Sequence, residues 1–319
     1  MTKLFLHSYG LRYHYRHKPG FDVFSLIDIA AELGFDGINV SAHLPGYVEI
    51  SGRERDHLRK VRRHLDHRGL LIDIETRGTE VAHLSDCLAM AADVGAGYLR
   101  TFTTGAPDRR HRVSEAKRNL SQLTPIAERV GIPILLENHE DLCGAEVAEI
   151  LTSVNSAWIR ALFDYVNSML FFEHPCDALE AMEPWVCSAH LKDCVLLPPV
   201  RQGEEGTLLG VPIGSGVAPV AELTQKLARL GLDRICFENT WSYRAPLRDR
   251  RGTGEPGESI FGWANLRELP AEWMINAAEM AQSAPGKVVE LEMQALDQSL
   301  CWLRKLSIGA GLTRSAAKA

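Results

Sequence analysis

Acidic and imidazole side chains end four apolar runs of this sequence. The run LLENHED contains Glu137 and His139, and the runs ALFDYVN, CSAHLKD and ICFENTW contain Asp164, His190 and Glu238. Side chains alternate between the two faces of a strand, so Glu137 and His139 should project on the same side. A carboxylate and an imidazole at one strand end can bind a metal together, or one can bind it while the other moves protons.

The four strand-end residues make a donor set of three carboxylates and one imidazole, namely Glu137, Asp164, Glu238 and His190. A mainly oxygen set of this kind suits Mn²⁺, Mg²⁺ or Co²⁺, and Zn²⁺ and Fe²⁺ are also compatible with it. We therefore predict one divalent cation, with Mn²⁺ favoured. The alternative is that these residues form ion pairs at the rim of the fold.

Length and composition narrow the classes of protein. With 319 residues, 45% of them hydrophobic, the chain can form one (β/α)8 barrel or two ordinary domains. A net charge of −6 and a pI near 6.1 argue against a nucleic-acid partner or a membrane surface. Seven cysteines without a CxxC pair indicate reduced thiols and a cytoplasmic location. The sequence shows no signal peptide and no apolar run of about 18 residues, the length of a membrane span.

Eight short apolar runs alternate with helical patterns, several of which stop at glycine. Such alternation predicts a parallel sheet, and eight units over about 240 residues predict a TIM barrel, whose chemistry lies at the C-terminal strand ends. An open doubly wound sheet is the alternative, and it is disfavoured because no GxGxxG or Walker-type loop follows a strand. The predicted strands are 4–10, 36–43, 70–76, 98–105, the run up to 141, 158–167, 185–193 and 234–241. The predicted helices are 23–33, 54–68, 81–94, 114–130 with Ser114 as its cap, 145–154, 178–182 and 219–230.

The remaining segments are predicted as additions to one domain that covers residues 1–308. A loop of about twenty residues, rich in glycine and proline, should precede the helix at 219–230. The charged segment 242–270 is either a mobile insertion or, as long loops in compact domains often are, a functional lid or subunit contact. Two helices, about 270–284 and 287–306, should follow, and residues 309–319 should form a flexible tail.

These residues together resemble a known group of proteins. The four strand ends, HLKD at 190–193 and PIGSG at 212–216 make residues 3–240 similar to the xylose-isomerase-like TIM barrel superfamily, the sugar isomerase/epimerase group that also includes endonuclease IV-like barrels. The resemblance implies that the metal set of the group falls on the same four strand-end residues. It also implies a small-molecule sugar or glycoside as substrate.

The residues that follow Glu137 differ from those of one branch of that group. Ketose 3-epimerases carry an Asn-Arg-x-Glu-type continuation, whereas this chain has Asn138, His139 and Glu140. A histidine has an ordinary pKa near 6.5 and offers a neutral base beside the predicted metal. This placement resembles the lyase branch, which comprises subunits that cleave 3-oxo-C-glycosides and decarboxylases of oxidised sugar acids. The alternative for His139 is a hydrogen-bonding role behind the reacting groups.

Four functional hypotheses follow. The first is a metal-dependent lyase that abstracts a proton next to the carbonyl of an oxidised sugar and then eliminates or decarboxylates. The second is a sugar isomerase or epimerase in which Glu137 and Glu238 act as paired bases. The third, DNA repair as in the endonuclease IV-like branch, would imply a three-metal site and a basic face, which an acidic chain does not suggest. The fourth is a metal-free binding barrel.

Further site candidates surround the predicted metal. Lys192 shares a strand face with His190 and can neutralise an enolate or a carboxylate, or form a surface salt bridge. The predicted substrate contacts are His14 and Arg16 in the first loop, beside Tyr13 and His17, and Glu75 and Arg100 near the ends of strands three and four. Asn167 and Asn239 are candidates for orienting the metal ligands. A homo-oligomer, or a complex with a small second subunit, is expected as the assembly.

Overall fold

The apolar runs of the sequence become short buried strands of a closed barrel. The computed structural model describes residues 2–42, 49–105, 108–201 and 203–310, the last four of these without their side chains. In chain order the strands are β1 (Lys3–His7), β2 (Gly37–Ser41), β3 (Leu71–Glu75), β4 (Leu99–Thr101), β5 (Ile134–Glu137), β6 (Ile159–Asp164), β7 (Val186–Leu191), β8 (Asp193–Leu197), β9 (Thr207–Val211), β10 (Arg234–Phe237) and β11 (Arg244–Pro246). Eight of them pair in parallel in the closed order β1–β10–β7–β6–β5–β4–β3–β2. The predicted TIM barrel is confirmed.

Helices cover the outside of this barrel. They are α1 (Arg12–His17), α2 (Val23–Leu33), α3 (Arg55–Arg68), α4 (Val81–Val94), α5 (Arg109–Val130), α6 (Gly144–Val154), α7 (Pro175–Met182), α8 (Val220–Arg229), α9 (Ala271–Met274), α10 (Ala277–Met280) and α11 (Pro285–Ala310). Helices α2 to α8 each connect one barrel strand to the next. The predicted ends of α2 and α4 are confirmed at Gly34 and Gly95, whose φ angles of 83° and 72° lie in the left-handed region that glycine adopts without steric cost.

Helix α5 begins earlier than predicted. The sequence analysis placed its cap at Ser114, but the side chain of Asp108 accepts a hydrogen bond from the backbone N of His111. The carboxylate therefore satisfies one of the free amides at the helix start, which is the role of an N-cap. Ser114 lies inside the helix.

The prediction of a loop throughout the stretch after β7 is wrong, because this stretch contains two strands. Strands β8 and β9 pair antiparallel there, and β11 joins β9 to make a three-stranded sheet outside the barrel. Cys194 and Leu196 of β8 pack into the barrel core, whereas Val195 and Leu197 pack with Trp241 into a second apolar cluster. Because both faces of β8 are covered, its sequence lacks the alternation of polar and apolar residues that identifies a half-buried strand.

The carboxylate of Asp193 ties the start of this excursion to its end. It accepts hydrogen bonds from the backbone N of Cys194 (2.8 Å), Gly214 (2.9 Å), Gly216 (2.8 Å) and Ala218 (3.2 Å). The two motif pieces HLKD and PIGSG are therefore in direct contact. This anchor fixes the chain immediately after Lys192, the residue that follows β7.

We expect Asp193→Asn to lower the free energy of unfolding by about 2 kcal/mol, measured by urea denaturation. The amide presents an NH₂ group where two of the backbone donors now meet a carboxylate oxygen, and a buried donor left unpaired costs about 1–3 kcal/mol. Asp297→Asn, on the exposed side of α11, is the matched control and should leave stability unchanged. Equal midpoints for the two variants would contradict the anchoring role.

The segment 242–270 is held against the barrel by backbone hydrogen bonds. The N–H groups of Arg248 and Arg251 donate to the carbonyl oxygens of Leu170 (2.8 Å) and Phe171 (3.0 Å). Phe261 of this segment is buried beside Phe172, with the ring centroids 5.7 Å apart. A role for this segment as a lid or subunit contact stays a prediction.

The C-terminal helices differ from expectation in one respect. The single helix predicted for 270–284 is two one-turn helices, α9 and α10, because Ile275 is extended between them and the side chain of Asn276 caps the second. The long final helix is confirmed as α11, which includes residues 309 and 310 of the predicted tail. Residues 311–319 lie outside the described residues. None of the helices in the described ranges has the length and apolarity needed to cross a membrane.

Candidate metal centre

Four adjacent strands of the barrel bring the predicted ligands together. Glu137 ends β5, Asp164 ends β6, and the β6–β7 register sets Asp164 directly beside His190. One donor atom each from Glu137, Asp164 and His190 lies within 4.8 Å of the other two. The Nδ1 atom of His190 lies 3.4 Å from Glu137 Oε1 and 3.3 Å from Oε2 of Glu238, which follows β10. All four side chains are buried.

Five buried polar atoms of these side chains lie close together. They are Glu137 Oε2, Asp164 Oδ2, Glu238 Oε2 and both ring nitrogens of His190. The three oxygens contact the cations of Arg100 and Lys192, and the ring nitrogens lie 3.3–3.9 Å from carboxylate oxygens. The five atoms converge on one point and are of the types that bind divalent cations. The residues therefore fit a bound divalent metal ion.

Neighbouring groups orient the acceptors. Asp164 Oδ1 accepts hydrogen bonds from the backbone N of Val166 (2.9 Å) and of Asn167 (2.8 Å), which leaves Oδ2 directed toward His190 and Lys192. Asn167, a predicted orienting residue, donates from Nδ2 to Glu137 Oε1 at 3.2 Å. Asn239, the other candidate, instead donates to backbone carbonyls of the first loop and of α11.

Two buried cations offset part of the negative charge of these carboxylates. Arg100 contacts Glu137 Oε2 through Nε, and its Nη1 lies 3.6 Å from Glu75 Oε2. The Nζ atom of Lys192 lies 2.9 Å from Asp164 Oδ2 and 3.0 Å from Glu238 Oε2. Lys192 is thus no surface salt bridge, as one alternative had it, but part of the centre.

Burial and these neighbouring charges shift the pKa values of the three carboxylate ligands. Although burial acts to raise it, Arg100 and His190 hold the pKa of Glu137 well below its usual value. Burial also opposes ionisation of Glu238, yet Lys192 lowers its pKa to about 2. At Asp164 burial wins over Lys192 and raises the pKa to about 6. At neutral pH all three carboxylates are therefore ionised, as a cation-binding site requires.

The sequence analysis missed His7, which lies against the centre at the end of β1. Its ring packs edge-on against His190 with centroids 4.9 Å apart, and His7, His190 and Glu238 form a second group with metal-ligand spacing. However, its Nδ1 accepts a hydrogen bond from the backbone N of Tyr9, and its Nε2 lies 2.8 Å from Glu75 Oε2. With both nitrogens engaged, His7 orients its neighbours. Its signal was present, since LFLH is another apolar run that ends in a polar residue.

Glu75, predicted as a substrate contact, stands behind the metal ligands. Its Oε1 accepts a hydrogen bond from Ser41 Oγ at 2.5 Å, and its Oε2 lies 3.9 Å from His190 Nε2. A carboxylate behind the far nitrogen of a histidine is a common way to orient a metal-binding imidazole. Glu75 and Arg100 thus support the ligand set, and a contact of either with substrate stays a prediction.

His139 lies at the barrel mouth, but the alternation of side chains along a strand is not what places it there. Strand β5 ends at Glu137, so strand alternation does not extend to His139. Its ring instead stacks on Phe102, with centroids 3.9 Å apart and planes 10° apart, and the guanidinium of Arg100 lies 4.9 Å from the Phe102 centroid. Burial lowers the pKa of His139 to about 3, so the imidazole is neutral at physiological pH. Nothing in the sequence distinguished Phe102 from an ordinary core aromatic.

Two further predicted substrate contacts, His14 and Arg16, lie on α1. Oε2 of Glu292, on α11, accepts hydrogen bonds from the backbone N of His14 at 3.0 Å and from His14 Nδ1 at 2.7 Å. A buried carboxylate of a distant helix thus holds His14, and a contact of either residue with substrate stays a prediction. Arg16 is exposed on α1, and Tyr13 packs against Trp241 in the second apolar cluster.

A closed parallel barrel with a carboxylate-rich donor set at its C-terminal strand ends defines a TIM-barrel protein with a candidate metal centre. The chain belongs to the xylose isomerase-like TIM barrel family, whose model matches residues 27–260. The family membership inferred from the sequence is confirmed, and it indicates an enzyme that acts on sugars.

Individual relatives are distant. Uncharacterized protein YihM of Escherichia coli (strain K12) is 25% identical over 231 residues, which are 72% of this chain and 69% of that protein. The 3-oxo-isoapionate decarboxylase of Pectobacterium atrosepticum is 24% identical over 182 residues, 57% of this chain and 65% of the enzyme. The structure of D-psicose 3-epimerase from Clostridium cellulolyticum H10 with D-tagatose has a TM-score of 0.61 and 14% identity, covering 93% of this chain and 98% of that one. At this identity the last likeness shows the fold alone.

Proposed function

We propose that this protein is a divalent-metal-dependent lyase. It would form the enolate of an oxidised (keto) sugar, either by abstracting a proton next to the carbonyl and then eliminating a substituent, or by releasing carbon dioxide from a carboxylate on the carbon next to the carbonyl. The observation that carries the proposal is the arrangement at the barrel mouth: four buried ligands converge on one point, and a neutral imidazole, His139, is fixed beside them. We propose Mn²⁺ as the cation because the donors are mostly carboxylate oxygens.

Glu137, Asp164, His190 and Glu238 would hold the cation. When bound, a divalent cation supplies Lewis-acid stabilisation of the negative charge that develops on the carbonyl oxygen of the substrate. The protein residues around it supply the remaining functions.

His139 is the general base of this proposal. One imidazole nitrogen takes the proton from the carbon next to the carbonyl, and the electron pair of the broken C–H bond moves into the enolate. Stacking on Phe102 limits rotation of the ring, so the base is aligned before substrate arrives. In elimination the enolate electrons expel a leaving group from the adjacent carbon. In decarboxylation the C–C bond to the carboxylate supplies the same electron pair, and the resulting enolate carbon takes up a proton.

Support for a lyase comes from the sequence relative that is a decarboxylase of an oxo sugar acid. A sugar isomerase or epimerase is the second candidate, favoured by a different observation. Oxygens of Glu137 and Glu238 lie 3.4 Å and 3.3 Å from the same nitrogen of His190, so two carboxylates flank one point and can act as paired bases. Elimination and epimerisation share the proton abstraction and differ in the fate of the enolate, whereas decarboxylation forms the enolate by loss of carbon dioxide.

The products distinguish the two reactions. Metal-stripped protein would be reloaded with Mn²⁺ and incubated in D₂O with 3-oxo-glycosides, 3-oxo sugar acids and ketohexoses, and the products identified by NMR and mass spectrometry. The lyase predicts a released aglycone, or carbon dioxide and a product one carbon shorter. The epimerase predicts a stereoisomer or positional isomer that carries one deuterium on an otherwise unchanged carbon skeleton.

The matched control is the same incubation with EDTA in place of Mn²⁺, which should abolish either reaction. Isomerisation without cleavage would favour the second candidate. Turnover that is equal with and without metal would contradict both.

A further inference from the structure

The ammonium group of Lys192 occupies a position that a metal ion would contest. Lys192 is buried, and its Nζ bridges Asp164 Oδ2 and Glu238 Oε2 at 2.9 Å and 3.0 Å. Within the ligand set, Lys192 is therefore the cation that pairs with Asp164 and Glu238, as Arg100 pairs with Glu137.

The ammonium group of Lys192 and a divalent metal ion would compete for these two oxygens, because both are positively charged. Divalent ions bind carboxylate oxygens at about 2.0–2.6 Å, which would place the ion within a few ångströms of Nζ in its present position. Like charges at such a separation repel strongly when they are buried. Conversely, without either cation Asp164 and Glu238 would stand buried and uncompensated, which is costly.

We propose that Lys192 is the internal counter-ion of the metal-free centre and that a divalent cation displaces it from Asp164 and Glu238. This inference rests on the metal site proposed above. Its functional consequence is an ordered site, because the ammonium group becomes free to pair with an anionic oxygen of the substrate only after the metal has bound. Lys192 would thus keep the metal-free barrel folded and contribute to substrate binding in the loaded one.

Metal titration of Lys192 variants tests the exchange. Metal-stripped wild-type, Lys192→Met and Lys192→Arg proteins would be titrated with Mn²⁺ by calorimetry at one pH and ionic strength. We expect Lys192→Met to bind Mn²⁺ at least about tenfold more tightly than wild type, since no ammonium has to leave, and Lys192→Arg to gain nothing. In EDTA, Lys192→Met should melt below wild type, and Mn²⁺ should raise its Tm by more.

Lys117→Met, which removes a half-buried lysine paired with Glu149 on the outside of the barrel, is the matched control and should titrate like wild type. If Lys192→Met does not fold, Lys192→Gln replaces it, because the neutral amide offers N–H donors to the carboxylates without a positive charge. A crystal structure of the Mn²⁺-loaded wild type adds a direct readout. Nζ should lie beyond hydrogen-bond distance of Asp164 Oδ2 and Glu238 Oε2.

The outcomes separate this inference from the one on which it depends. Wild-type protein that binds Mn²⁺ while the neutral variant binds it equally or less tightly would overturn the displacement of Lys192 and leave the metal centre intact. Retention of both Nζ contacts in the loaded crystal would do the same. A wild-type protein that binds no divalent cation would overturn the metal centre itself, and this inference with it.

Discussion

Glu238→Gln should bind Mn²⁺ at least about 100-fold more weakly than wild type and lose activity at the metal concentrations that saturate the native protein. The substitution keeps the shape of the side chain but removes one of three ligand charges. Changes to groups that only orient a metal ligand already cost about 10–100-fold in affinity, so loss of a charged ligand should cost more. Calorimetric titration of metal-stripped protein, followed by assay at matched metal occupancy, measures both effects.

Glu149→Gln serves as the control, because Glu149 is exposed and pairs with Lys117 on the outside of the barrel. It should match wild type in affinity and rate. A Glu238→Gln protein with native Mn²⁺ affinity would remove Glu238 from the ligand set.

His139→Ala should keep the fold and the metal affinity and lose turnover by about 10²–10⁴-fold, the usual contribution of a general base. His139 contacts Phe102 and lies beside the ligands without being one of them, so the two properties should separate. Glu137→Ala should lose the metal together with the activity. Steady-state kinetics at saturating Mn²⁺, with metal content measured on the same samples, distinguishes these results.

The control for this variant is His111→Ala, since His111 is an exposed residue on α5 that pairs only with the capping residue Asp108 among the described residues. It should be as active as wild type. Near-normal turnover of His139→Ala on every accepted substrate would contradict the lyase mechanism and favour Glu137 and Glu238 as the bases of an epimerase.

The barrel and its ligands were predictable because each depends on short-range sequence patterns. Apolar runs ending in Glu137, Asp164, His190 and Glu238 identify both the strands and the side chains at their C-terminal ends. In a closed parallel barrel those ends meet at one mouth whatever the connecting loops do. The glycines at helix ends act locally as well, through their tolerance of positive φ.

The errors lie where contacts distant in sequence decide the structure. No sequence pattern predicted that His14 pairs with Glu292, 278 residues away on a helix that the barrel pattern does not include. Strand β8 escaped recognition because a second apolar cluster, supplied partly by α11, buries its other face. The position of His139 depends on Phe102, a residue from another strand end. The residue pattern of a single segment contains no information about contacts with residues far away in the sequence.

The supports of the ligand set illustrate the same limit. Glu75 and Arg100 were correctly placed near strand ends, yet their roles follow from register, since β3 and β4 pair these two residues side by side. Once paired, Arg100 contacts Glu137 and Glu75 lies behind His190. Sequence position alone could not separate a substrate contact from a support of this kind.

The most direct measurement of the central claim is the anomalous diffraction signal of manganese in a crystal of the metal-stripped protein soaked in Mn²⁺. The account predicts one peak at the barrel mouth, surrounded by Glu137, Asp164, His190 and Glu238. A crystal without a peak at the mouth, or with one held by His7, His190 and Glu238 instead, would contradict it.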